Sequence, residues 1–282
     1  MRIELATDPG ALERPNEDYT SVALPASGTG GSLVLLDGVT PPPDDTGCLH
    51  SVHWFTAHLG GKLGELSVSR RDLTLRDILG TAILHTADTH RDTCDLSHPR
   101  TPQATVVLVR WDDERVEYLV LSDSVLLLAG AEGEVEAVLD DRLDRLPERV
   151  GALRDATRAL PVGSQERKET GRTYVAAVEA LRNTEGGFHT AAADPSVADR
   201  AVTGVRPRAE VWAVAALTDG AGRFVETFDE GDWRDCFSVI AKEGPQSLID
   251  RVRALEDAHL ASGAAPVAWK AHDDAAVVYA EW

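Results

Sequence analysis

Short apolar runs rich in Val, Leu and Ala punctuate the chain at Tyr19–Leu24, Ser32–Leu36, Ala104–Arg110, Val116–Leu121, Val125–Leu128, Val135–Leu139, Val211–Leu217 and Ala275–Ala280. Runs this short, bounded by Gly, Asp and Ser, predict strands covered on one or both faces. Only SDS and AGAEGE separate Val116–Leu121, Val125–Leu128 and Val135–Leu139, so these three read as an antiparallel meander. The apolar spacing changes to three and four in Gly47–Leu66, where Leu49, Val52, Phe55, Leu59 and Leu63 recur. It does so again in Leu75–Arg91, with Thr74 as the candidate N-cap, and in Gln246–Leu260. These are the predicted helices, and Asp194–Ala201, which opens on Asp-Pro, is a short one. Asp140–Ala193 is charged, mixes helical fragments with GSQERKETG, and reads as an insertion. The order of elements predicts an α+β fold, with antiparallel sheets and helices on the outside. A single domain over residues 1–282 accommodates all of it.

Composition narrows the function classes. The chain is 43% hydrophobic and 27% charged, enough apolar residue to close a core. Its formal charge of −19 would repel nucleic-acid phosphates and anionic lipid, so neither is an expected partner. No apolar run approaches the roughly 20 residues of a membrane helix, and Glu4 and Asp8 stand where a signal peptide would be apolar. The expected location is the cytoplasm. Cys48, Cys94 and Cys236 are far apart with no CxxC pair, which argues against a disulfide framework and against a thiolate zinc site. GxxxxGK[ST], GxGxxG after a strand and GxSxG are all missing from the sequence.

The candidate chemistry lies where acids meet strand ends. Asp37-Gly38 follows Ser32–Leu36 and Asp219-Gly220 follows Val211–Leu217, while Glu17-Asp18 precedes Tyr19–Leu24 and Asp273-Asp274 precedes Ala275–Ala280. In antiparallel pairing the end of one strand lies beside the start of its neighbour, so these acids can gather on one sheet edge. Carboxylates crowded together need cations or protons, and an oxygen-only donor set suits Mg²⁺ or Mn²⁺. Two such ions about 3.5–4 Å apart can share a water, lower its pKa and aim a hydroxide at phosphorus. His50 and His53, spaced i, i+3, read as ordinary helix histidines, because no acid is spaced to join them. Pro41–Asp45 reads as a connector, and the six tryptophans, Trp269 among them, as scattered anchors.

Six short motifs stand in order along the chain: RPNEDY (14–19), LLDGVT (35–40), PQATVVLV (102–109), LVLSDSVLLL (119–128), ALTDGAG (216–222) and HDDAAVVYA (272–280). Together they resemble the metal-dependent serine/threonine protein phosphatases of type 2C, in particular the bacterial members, over nearly the whole chain. The resemblance implies a four-layer α/β/β/α sandwich with two Mn²⁺ or Mg²⁺ ions at the edge between the sheets. By motif position it implies Asp18, Asp37, Asp219 and Asp273 as side-chain metal ligands, with Glu17 holding coordinated water and Gly38 lending its carbonyl. Asp123 matches an aspartate that helps bind a third, weaker ion, and Arg14 would grip the substrate phosphate.

The chain departs from that pattern at four places. Only Pro15 separates Arg14 from Asn16, where bacterial relatives usually have two residues; Val39 replaces a histidine of eukaryotic members; Arg223 replaces a second aspartate; Asp274 replaces an asparagine. The reading is a phosphatase of phosphoserine and phosphothreonine in proteins, including substrates of a serine/threonine kinase. The alternatives are a catalytically weak or inactive relative acting as a binding or regulatory module, and a phosphatase of a small phosphorylated metabolite.

Overall fold

The computed structural model of the chain describes residues 1–42, 46–161, 163–263 and 270–282, so the end of the proline-rich connector and Trp269 lie outside the described residues. Two five-stranded antiparallel sheets form its centre. The first has the order β1 (Arg2–Asp8), β10 (Ala275–Glu281), β9 (Ala213–Leu217), β6 (Val125–Ala129), β7 (Val135–Val138). The second has the order β2 (Tyr19–Ala23), β3 (Gly31–Leu36), β4 (Val106–Trp111), β5 (Arg115–Leu121), β8 (Val202–Pro207). The helices are α1 (Val52–Ser69), α2 (Leu75–His90), α3 (Glu148–Ala159), α4 (Gln165–Glu179), α5 (Asp219–Glu226), α6 (Trp233–Glu243) and α7 (Pro245–Ala261).

Three apolar interfaces stack these elements into four layers. Val34, Leu36 and Leu108 pack outward against Leu59, Leu63, Ile78 and Leu79 of α1 and α2. The alternate residues Leu33, Leu35, Val107 and Val109 face Leu126, Val214 and Val278 of the other sheet. Leu127, Ala215 and Tyr279 in turn meet Phe237, Ile240, Leu248 and Val252 of α6 and α7. Successive strand side chains point to opposite faces, so a central strand buried on both is apolar at nearly every position. That is why β6 and β9 read as unbroken apolar runs, and β3 and β4 as apolar runs interrupted only by the buried Ser32 and Arg110, although their pairing is antiparallel.

The predicted meander is not formed. β5 pairs with β4 and β8, whereas β6 pairs with β7 and β9 in the other sheet. The chain crosses between sheets at Ser122, whose φ is +68° and whose N–H donates to Asp140 at 2.8 Å. β1 and β8, both at sheet edges, carry no run of apolar residues, and of β1 only Ala6 is buried. α2 begins at Thr74 as expected, with a capping box closed by Asp77. α1 begins later than its periodicity suggested, at Val52 with Ser51 as the cap, and the short helix at Pro195–Arg200 is a 3-10 helix. Asp140–Ala193, Val162 apart, holds α3 and α4.

Candidate metal and phosphate site

Strand register brings the acids together. In the β2–β3 pair Tyr19 stands opposite Leu36, so Asp18 and Asp37 emerge side by side. In the β9–β10 pair Leu217 stands opposite Val277, which leaves Asp219 and Asp273 at the same edge of the other sheet. Thr218 ties the two sheets: its hydroxyl accepts from the Ala276 N–H at 2.9 Å and donates to Asp18 Oδ2 at 3.0 Å. The Asp219 N–H points at Asp37 Oδ2 at 3.4 Å. Asp37 is held in turn by Thr105, which accepts from its N–H at 3.2 Å and donates its own N–H to the Asp37 carbonyl at 2.9 Å.

Two glycines make this approach feasible. A Cβ on Gly38 would lie 2.6 Å from the Glu17 carbonyl oxygen and 2.5 Å from Val52 Cγ1, and one on Gly220 would lie 2.0 Å from the Asp274 carbonyl oxygen. Each Asp-Gly pair therefore needs its glycine so that the strand start beside it can pack closely. Asp274 lies beside the site without joining the acid cluster. Its carboxylate accepts from the N–H groups of Gly10 at 2.7 Å and Glu17 at 2.8 Å, fixing the loop that carries Glu17 and Asp18.

Burial, reinforced by mutual repulsion, sets the electrostatics of the acids. Burial first, then Asp219, Asp274 and Asp273, push the Asp18 carboxyl well above its usual range despite the Thr218 hydrogen bond. Burial, followed by Asp219, Asp18, Asp123 and Asp273, does the same to Asp37. Asp219 is raised by burial and by Asp273, and Asp123 is pushed up to about 6 by burial and Asp219. Asp18 Oδ1 is buried and has no hydrogen-bond partner. An orphaned anionic oxygen among carboxylates that resist ionisation fits a divalent cation, since a bound ion inverts this pKa logic. The all-oxygen donor set fits Mg²⁺ or Mn²⁺.

Two of the chain's own cations also enter the site. Asp273 is buried, and Arg223 donates to its Oδ2 at 2.8 Å while Lys270 Nζ reaches its Oδ1. Arg223 is itself buried and paired with Glu256 of α7. Lys270 also donates to the Thr40 hydroxyl at 3.2 Å, and Thr40 donates to Glu17 Oε2 at 2.5 Å.

No family model and no curated protein matches the sequence. Solved structures do match. The serine/threonine phosphatase Stp1 from Staphylococcus aureus superposes with a TM-score of 0.59 at 13% identity, over 99% of this chain and 94% of that one. The catalytic domain of the phosphatase PstP in complex with two manganese ions gives 0.54 at 14% identity, over 99% and 97%. The Mycobacterium tuberculosis phosphatase PstP/Ppp gives 0.56 at 16% identity, again over 99% and 97%. The chain has the type 2C phosphatase fold.

Within that fold the residues singled out from the sequence fall into two groups. Asp37, Gly38, Asp123, Asp219 and Asp273 line one cleft, with Asp18 against it through Thr218. Glu17 sits at its margin through Thr40, and burial raises its pKa while Thr40, Lys270 and Arg14 lower it. Arg14 is exposed and does not line the cleft. The opposite wall comes from the Asp140–Ala193 segment, through Leu143, Val178, Arg182 and Phe188. Arg182 lies over the Phe188 ring, with its guanidinium carbon 5.5 Å from the centroid, and its buried Nε has no hydrogen-bond partner. Arg100 pins the end of α4 beside it through two bonds of 3.0 Å to Glu179. Lys270, Arg182 and Thr218 were not evident from the sequence. Lys270 carried one available signal, being one of only four lysines and three residues from Asp273.

Proposed function

We propose that this chain is a type 2C phosphatase that hydrolyses phosphoserine and phosphothreonine in proteins with Mn²⁺ or Mg²⁺. The observation that carries the reading is the convergence of Asp18, Asp37, Asp219 and Asp273 from two sheets, with Asp18 Oδ1 left without a partner. The likeness of its fold to serine/threonine phosphatases, one of them in complex with two manganese ions, supports it. When bound, the ions would supply an activated water and offset the charge of the phosphate. Asp18, Asp37, Asp219, Asp273 and the Gly38 carbonyl would hold two ions, and Asp123 would help hold a third. Glu17, anchored by Thr40, would orient water at the margin of the cleft. Arg182, with an unpartnered Nε inside the cleft, would hold the phosphate oxygens, which a guanidinium can grip in pairs, and Arg14, outside the lining but near enough to act on Glu17, would add positive charge.

The test is hydrolysis of an aryl phosphate by the pure protein with and without Mn²⁺. Asp37→Asn and Asp219→Asn are each expected to reduce metal-dependent turnover at least about a hundredfold, a loss of about 3 kcal/mol in transition-state stabilisation. Absence of metal-dependent turnover, or its persistence in both variants, would refute the reading. Phosphopeptides compared with phosphorylated metabolites then settle the substrate class.

A second reading has its own observation. Arg223 and Lys270 occupy both oxygens of Asp273, so the chain supplies counter-charge where a metal would bind. That favours a non-catalytic binding module, and calorimetry showing no uptake of Mn²⁺ would select it.

A further inference from the structure

Two cysteines and two histidines meet where the loop before α1 comes against the end of α2, and none of the four belongs to the acid cluster. Cys48 and His50 lie in the loop between β3 and α1; His90 is the last residue of α2 and Cys94 lies in the turn that follows. One ligand atom from each lies within 4.8 Å of all the others. Cys48 Sγ is 3.5 Å from His90 Nδ1 and 3.8 Å from His50 Nδ1, and His50 Nδ1 is 3.4 Å from Cys94 Sγ. We propose that Cys48, His50, His90 and Cys94 form a tetrahedral Zn²⁺ site.

The distances are those the chemistry asks for. With Zn–S near 2.3 Å and Zn–N near 2.0–2.1 Å, the sulfur-to-nitrogen edge of a tetrahedron is about 3.6 Å. The three such edges here bracket that value. The two sulfurs are 2.9 Å apart, and insertion of the ion would widen them to about 3.8 Å. Both cysteines are free thiols, so the donors are available. Backbone N–H groups already point at the sulfurs, from His50 to Cys48 Sγ at 3.4 Å and from Leu49 to Cys94 Sγ at 3.3 Å, an arrangement that stabilises thiolate. Trp54 covers the site, its ring centroid 4.0 Å from that of His50 and 5.2 Å from that of His90, which limits water. Binding leaves both sulfurs as thiolates, any proton still on a thiol passing to solvent, and two thiolates with one dication carry no net charge.

Four protein donors fill a tetrahedron and leave no open position, so the ion would be structural. It would staple the β3–α1 loop to the end of α2. That loop runs from Gly38 to α1, whose first residue, Val52, packs against Gly38. The staple would therefore brace the backbone beside the Asp37-Gly38 pair. The cysteines are far apart in sequence, which argued against a thiolate zinc site, yet the fold brings Cys48 and Cys94 into contact. Each ligand pair is local, Cys48-x-His50 and His90-x3-Cys94, but about 40 residues separate them, and neither pair is a CxxC.

The test uses the reduced full-length protein, stripped of metal and then given Zn²⁺ or Co²⁺ alone. One equivalent of Zn²⁺ per chain is expected, retained through gel filtration in excess Mn²⁺, and the Co²⁺ form should show thiolate charge-transfer and intense tetrahedral d–d bands. Cys94→Ser and His50→Gln should lose the bands or weaken zinc retention at least about tenfold, while Cys236→Ala and Asp37→Asn should keep both. The wild-type spectrum needs no variant to fold. Failure of the reduced wild type to retain Zn²⁺, an octahedral Co²⁺ spectrum without charge transfer, or loss of the site in Asp37→Asn would overturn the proposal.

Discussion

Removing the guanidinium of Arg223 isolates the part of the site that the chain neutralises for itself. Arg223 joins Asp273 to Glu256, and the side chains of Arg223 and Glu256 are only 4% and 1% exposed. Arg223→Met keeps the apolar stem but leaves both carboxylates facing each other across a dry gap. Removing one partner of a buried ion pair costs about 3–5 kcal/mol, because the remaining charge stays desolvated. Two neighbours soften the loss: Arg253 still donates to Glu256 Oε2 at 2.9 Å, and Lys270 still meets Asp273. The lower end, about 3 kcal/mol, is therefore expected. At an unfolding entropy of roughly 2.1 cal/mol/K per residue, a chain this long loses about 5 °C in Tm for that energy. Calorimetry in EDTA at pH 7.5 measures it. Adding saturating Mn²⁺ should narrow the gap between variant and wild type, because an ion at Asp273 replaces the missing charge. A midpoint within about 1 °C of wild type in EDTA, or a gap that Mn²⁺ leaves unchanged, would refute the assignment of Arg223 as an internal counter-ion.

Three further outcomes are expected. Lys270→Met frees Asp273 Oδ1 and should tighten Mn²⁺ binding about tenfold by calorimetry, roughly 1.4 kcal/mol, whereas weaker binding would show that Lys270 organises the site instead of competing for it. In EDTA the urea midpoint should rise as the pH falls from 8 to 6.5, because Asp18, Asp37 and Asp123 have folded-state pKa values above their unfolded ones. The folded state then binds more protons in that window and stability falls as pH rises; Mn²⁺ should flatten the slope, and a midpoint that climbs with pH in EDTA contradicts the picture. His58 and His189, whose pKa values burial lowers, act in the opposite sense increasingly as the pH falls through about 6.5, the unperturbed histidine value. Cys94, which burial would raise but its hydrogen bonds lower to about 5, opposes the trend across the window, so the slope is read in Cys94→Ser. Arg182→Ala should raise KM for an aryl phosphate at least about tenfold with a smaller change in kcat, and an unchanged KM would remove Arg182 from the phosphate site.

What could be read from the sequence follows from where each element lies. Strands buried on two faces are apolar at nearly every position, so β3, β4, β6 and β9 announced themselves, and the acids at the ends of β3 and β9 came with them. The edge strands β1 and β8 bury one face at most, and α5 begins inside Thr218–Gly222, a stretch that reads as a turn. The switch of sheets at Ser122 is set by one positive φ and one hydrogen bond to Asp140, neither of which leaves a periodic trace. The aspartates were legible because antiparallel pairing lets acids at strand ends gather on one edge and the ordered motifs picked out which acids do so. Of the cations beside them only Arg223 stood out, as a departure from the motif, since Lys270 and Arg182 are drawn in by charge, which has no sequence period. This asymmetry has a physical consequence. Four carboxylates gathered by strand register would oppose folding before any metal binds, and a chain carrying 47 acids has no general excess of cations to offset them. Placing Arg223 and Lys270 on Asp273 lets the sheets close without an ion, while Asp18, Asp37 and Asp219 keep the unmet charge that attracts one. The fold can therefore assemble before the metal arrives, and the cost is competition at a single ligand, which Lys270→Met measures directly.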